Sequence, residues 1–223
     1  MTTALQIALI IHIICGFIAL VTGFISMLTA KGGKRHRSTG KIFFYAMTGV
    51  FLTATFISIG KNLAFLFMVG FFSYYLACAG YRRLYLKKLH LQQKPKWIDW
   101  VISLIGIIAG LALVVFSITW FRDRGAWGIV PLSFGSFCFL NGFQDLSSFF
   151  YPPKNKQHWI VSHGVRMGAS FAATCTAFTV VNLSIGAAYN WILWVLPGVL
   201  IGIWISRTIK AYLRPKVKNV EIA

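Results

Sequence analysis

The chain has 223 residues, 57% of them hydrophobic, and carries 22 Lys and Arg against 4 Asp and Glu, a formal charge of +18. Charge alone is not a recognition motif, and here the cations sit in short segments between long apolar runs, which excludes nucleic acid as the partner and points to a lipid bilayer. No connection is long enough for a soluble domain, so residues 1–223 read as a single integral membrane domain.

A hydrocarbon core of ~30 Å needs about 20 apolar residues per helix. Windows of that length predict an all-α polytopic bundle with helices near residues 5–28, 41–60, 63–85, 98–121, 127–151, 158–184 and 188–213. The opening stretch has no basic n-region and an apolar run too long for a signal peptide, so it is expected to stay in the mature protein as the first helix. On that helix His12, Gly16, Ala19 and Gly23 share one face, an imidazole above a groove of small residues that another helix or a flat ligand can approach. His12 reads either as a neutral histidine bonded to a hydroxyl such as Thr176 or Thr179 on the sixth helix, or as a haem or metal ligand.

The segment from Lys31 to Lys41, KGGKRHRSTGK, follows. Gly32 and Gly33 allow a sharp turn, Ser38 or Thr39 is expected to cap the second helix, and basic residues surround His36. It reads as a topology and lipid-anchoring loop, or as a loop that returns His36 to the bundle beside His158 and His163. The turn at Gly60, Lys61 and Asn62 is so tight that the second and third helices must form an antiparallel hairpin.

Arg82, Arg83, Lys87, Lys88, Lys94 and Lys96 follow the third helix, Lys154 and Lys156 the fifth, and Arg207, Lys210, Arg214, Lys216 and Lys218 the seventh. The alternate connections hold only Lys61, Arg122 and Arg124. This bias predicts a cell-membrane protein with seven crossings, its amino terminus outside and its carboxyl terminus in the cytoplasm. The basic loops would face anionic lipid headgroups, each cation contributing on the order of 1 kcal/mol. Cys15, Cys78, Cys138 and Cys175 fall in different helices with no metal-ligand spacing and read as packing residues. Pro131 and Pro197 are candidate helix breaks.

Ionisable groups kept inside apolar helices are the default functional candidates, and here they are His12, Asp145, His163 and Arg166. Asp145, His163 and Arg166 fall in a common layer toward the cytoplasm, with His12 beyond the midplane. His163, Met167, Ser170 and Thr174 line one face of the sixth helix; Asn141, Asp145 and Ser148 line one face of the fifth. The short link between these helices predicts antiparallel neighbours with an Asp145–Arg166 ion pair, His163 and Asn141 beside it. Such a pair either fixes helix register or borders a polar cavity open to the cytoplasm. His158, beside Trp159, reads as an interfacial anchor, and His90 has no partner pattern.

The run from His12 through GFIALVTGFISM into KGGKRHRSTGKIFFYAM, and later HWIVSHGVRMGASFAATCTAFTVVN, resembles the bacterial integral membrane proteins of domain-of-unknown-function family 2306 and its close relatives. Those carry a membrane histidine followed by small residues, then a basic H-R-x-x-G turn, matched here by His12, Gly16, Gly23, His36, Arg37 and Gly40. A later His and Arg motif corresponds loosely to His163 and Arg166. The resemblance implies a membrane location and a multi-helix bundle, and no activity.

Three functions remain on these residues. The first is binding or transport of a small molecule, a lipid or a proton through a polar cavity in the cytoplasmic half, built on Asp145, His163, Arg166, Asn141, His12 and His36. The second is a membrane redox protein holding b-type haem between two imidazoles. The third is an intramembrane metal-dependent hydrolase using Asp145, His163 and His36 or His12, without the usual HExxH spacing. No cofactor is specified by the sequence, and self-association into a homo-oligomer stays open.

Overall fold

The computed structural model describes residues 2–214; Lys216 and Lys218, counted above with the last basic cluster, lie outside the described residues. The described residues form seven α-helices: α1 (Thr3–Leu28), α2 (Lys34–Gly60), α3 (Ala64–Arg82), α4 (Trp97–Arg124), α5 (Ile129–Phe150), α6 (His158–Asn182) and α7 (Asn190–Leu213). Short 3-10 turns at Arg83–Tyr85, Leu89–Leu91 and Gly125–Gly128 link them, and no strand occurs among the described residues. With α4 and α5 taken as one run, Trp97–Phe150, joined through the Gly125–Gly128 turn, six helical segments are long and apolar enough to cross a membrane.

That run doubles back on itself. A Cβ at Gly135 would stand 2.7 Å from the Val114 amide nitrogen and one at Gly142 2.8 Å from that of Ile107, while Gly110 lies against the Phe139 backbone. Positions on α5 rise as positions on α4 fall, so the two helices are antiparallel, their backbones brought together at residues with no side chain. The hairpin of α2 and α3 forms as expected: Leu63 donates to the Ser58 carbonyl at 2.8 Å, and Phe51 meets Phe71, Thr48 meets Tyr74 and Phe44 stacks on Tyr81.

One end of the bundle collects the basic segments. An ion pair joins Arg82 at the end of α3 to Asp99 at the start of α4. His158, the first residue of α6, bonds to the Leu86 carbonyl just beyond α3, and Ile209 in the last turns of α7 packs at Gly164. The opposite end brings Leu5 of α1 against Gly60 of α2.

Three expectations need correction. The second helix begins at Lys34, not near residue 41, with Gly33 at its cap; Thr39 Oγ1 donates to the Arg35 carbonyl within the helix instead of capping it. Gly32, at φ +76°, makes the reversal immediately after α1, and Lys34, Arg35 and Arg37 then extend the helix as good helix formers with their charged ends exposed. Pro131 falls in the first turn of α5, where the missing amide costs no hydrogen bond, so it breaks nothing, and α7 runs on through Pro197. Finally, α5 and α6 are not close-packed neighbours: α5 lies along α4, and α6 along α7 and α3. The glycine seam draws α5 onto α4, while Gly164 and Gly168 of α6 receive Ile209 and Ile205 of α7.

Gly142→Leu should destabilise the bundle by about 1–3 kcal/mol, as overpacking of a filled site does. Gly16→Leu, which meets open space, should be close to neutral in the same thermal unfolding measurement in detergent.

Candidate functional site

An isolated carboxylate buried in apolar surroundings is costly, and Asp145 escapes that cost through three helices at once. Its oxygens accept from Tyr75 Oη of α3 at 2.9 Å, from Arg166 Nε of α6 at 3.0 Å, from Arg166 Nη2 at 2.5 Å and from Arg83 Nη2. The three charged residues are nearly inaccessible, at 3% exposure for Asp145 and Arg83 and 1% for Arg166. The expected Asp145–Arg166 pair therefore forms, but within a larger cluster. Arg83 also reaches Ser148 Oγ at 3.2 Å, and Arg166 Nη2 reaches the Asn141 carbonyl at 3.3 Å and Gln144 Oε1 at 3.4 Å.

Arg83 and Tyr75 were not identified from sequence. Arg83 counts there as one more cation of a loop, whereas the 3-10 turn that ends α3 carries it back over Asp145. A signal existed: Tyr75, Ala79 and Arg83 repeat at four-residue spacing, one stripe of a helix. A second device sits alongside. Arg82 grips Asp99 with two bonds, of 2.8 and 3.1 Å, and the same carboxylate caps α4 by accepting from the Lys96 amide at 2.8 Å. Between the two carboxylates remains a cavity of about 10 Å³, lined by Arg82, Arg83, Asp99, Ser103 and Asp145 among others. That is space for one water molecule at most.

His163 does not join Asp145. It shares its face with Met167, Ser170 and Thr174 as expected, but that face packs on α3 and α2: His163 Nδ1 bonds to the Gly80 carbonyl at 2.9 Å, Ser170 to the Ser73 carbonyl at 3.2 Å, and Thr174 to Met47 Sδ at 3.3 Å. Asn141 is beside the cluster, though its side-chain amide is spent on the Phe137 carbonyl. Asp145 and His163 thus bond to different partners and do not meet. What lies open instead is a groove of about 500 Å³ along α5, lined by Leu140, Asn141, Phe143, Gln144, Ser147, Ser148 and Tyr151.

The five histidines divide into His12, away from the basic end, and two pairs. His12 bonds to Thr53 of α2 at 3.0 Å, not to Thr176 or Thr179, because α2 is the close partner of α1. Thr53 gives its own proton to the Gly49 carbonyl, so His12 Nδ1 is the donor. His36, set inside α2 by the early helix start, turns to α1: its Nδ1 bonds to the Ser26 carbonyl at 3.0 Å, and its ring stands 6.3 Å from that of His163. Lys31 closes the same turn by donating to the Ser26 and Met27 carbonyls, and partial burial pushes its ammonium below the ordinary lysine value. His158 pairs with His90 instead, their ring centres 5.8 Å apart, and ties the segment after α3 to α6.

No protein-family model, curated protein or solved structure matches this chain. Among the described residues, no three side chains of His, Cys, Asp or Glu gather as a metal-ligand set, and Asp145, committed to two guanidiniums, is not free to join His163 and His36 as one.

Asp145→Asn should cost about 3–5 kcal/mol, since it leaves two buried guanidiniums without a counter-charge. Adding Arg166→Gln should recover part of that loss. Unfolding of the single and double variants in detergent checks it; additive losses would mean that the residues do not act as a unit.

Proposed function

We propose that the chain is a seven-pass protein of the cell membrane, amino terminus outside and carboxyl terminus in the cytoplasm, that binds an anionic amphiphile or lipid in the cytoplasmic half of the bundle. Seven crossings are supported by the antiparallel fold-back of the Trp97–Phe150 run, which supplies two helices of 28 and 22 residues. The orientation is supported by the gathering of basic segments at one end. Membership in domain-of-unknown-function family 2306 is part of this proposal and rests on the His12 and His36-Arg37 motifs.

The observation that carries the binding reading is the α5 groove, bordered by Ser148 and Asn141, the residues to which the buried Arg83 and Arg166 bond. Gln144, Ser147 and Ser148 offer hydrogen bonds to a polar head, and Leu140 and Phe143 offer apolar surface to a chain. Behind them two guanidiniums face one carboxylate, an excess of one positive charge that favours an anion. A path for ions or protons across the bundle has less support, because the Asp145 layer is closed.

Purified protein in nanodiscs containing equal phosphatidylglycerol and phosphatidylcholine should retain phosphatidylglycerol by native mass spectrometry. The variant Ser147→Leu should lose that preference while unfolding at the same temperature. Equal retention of both lipids would sink the proposal. For topology, alkaline phosphatase fused to the carboxyl terminus should be inactive and a fluorescent protein fused there bright.

A further inference from the structure

At the basic end of the bundle His36 and His163 form an arrangement independent of the Asp145 cluster. A carbonyl oxygen can only accept, so the bonds from His36 Nδ1 to Ser26 and from His163 Nδ1 to Gly80 place the proton of each neutral ring on Nδ1. The lone pair of each ring is then on Nε2, and no hydrogen bond to either Nε2 exists among the described residues. Imidazoles that ligate metals are held in just this way, with the remote nitrogen oriented by a backbone carbonyl. The two rings stand 6.3 Å apart at 80° to one another. Two metal–nitrogen bonds of about 2 Å in line span ring centres at roughly that distance.

The surroundings select the ion. Both imidazoles are neutral ligands, no carboxylate among the described residues bonds to either ring, and Lys31 shares the Ser26 carbonyl with His36, while Lys87 lies over Trp159, four residues before His163. A divalent ion that wants three or four donors with anionic character is poorly served there. A soft monovalent ion is better served, and a soft donor lies on the same face of α6. Met167 is one turn beyond His163 on the same face, its sulfur packed at Gly80, the residue whose carbonyl holds His163.

We propose that His36 and His163, with Met167 as a third and weaker donor, form a Cu(I) site between α2 and α6 at the basic end of the bundle. The site uses Nε2 of both histidines, and its two halves come from segments 127 residues apart in the chain. Its formation depends on the early start of α2, which turns His36 inward.

The test is an anaerobic titration of the full chain in detergent, with bicinchoninate competing for Cu(I). One equivalent of Cu(I) per chain should be held, and X-ray absorption should report nitrogen ligands with one sulfur. Asn can keep the donor to the backbone carbonyl while removing Nε2, so His36→Asn and His163→Asn should each weaken binding on the order of a hundredfold without lowering the unfolding temperature of the metal-free protein. Met167→Leu should weaken it less. Should one Asn variant fail to fold, the other and the absorption spectrum of the unaltered protein decide. No bound copper, unchanged affinity in a folded Asn variant, displacement by equimolar Zn(II), or a low-spin haem spectrum in the purified protein would each overturn the assignment.

Discussion

The buried carboxylate of Asp145 is the point on which the bundle depends. Helices in an apolar medium gain little from burying apolar side chains against one another, so polar contacts and close backbone approach must specify which faces meet. Asp145 supplies such a contact for α5, α3 and α6 together, through Tyr75, Arg83 and Arg166. Asp99 does the same for the junction of α3 and α4. Each carboxylate among the described residues, Asp123 included, is paired with arginine, although lysines abound. A planar guanidinium gives several directed bonds to a carboxylate and loses less on leaving water than an ammonium does.

A charge cluster of this kind contributes more to uniqueness than to net stability, since desolvation offsets much of the attraction. Its closure also determines where chemistry can occur. With room for one water at most beside it, the Asp145 layer offers little space, and the polar residues of α5 able to meet a ligand are Gln144, at the edge of the cluster, and Ser147. The histidines are organised separately. His36 and His163 draw on carbonyls of α1 and α3, so that four helices contribute to one pair of rings.

Much of this was legible from residues alone because apolar length and alternating charge are strong signals. The helices near residues 5–28, 158–184 and 188–213 match closely, and the polar faces of α5 and α6 contain the residues expected. The Asp145–Arg166 pair followed from two charges at one depth. Arg83 was hidden because topology counting treats cations at a helix end as one class, whereas a 3-10 turn sends Arg82 and Arg83 to different carboxylates. The partner of His12 was missed because sequence spacing ranks hydroxyls by depth and says nothing of which helix is nearest. His36 was obscured by its neighbours, since a run of lysines and arginines reads as a solvated loop even where it continues as helix.

The position of Arg83 ahead of Asp145 in the chain bears on how such a protein is made. Synthesis delivers α3 before α5 and α5 before α6. When Asp145 leaves the ribosome and enters the bilayer in the orientation proposed above, Arg83 is already out, and Arg166, 21 residues behind, is still inside the exit tunnel. The acid therefore has a cation available when it is inserted, supplied by the turn that ends α3, before α6 arrives. Order of emergence thereby spares Asp145 from waiting for α6 before it meets a counter-charge.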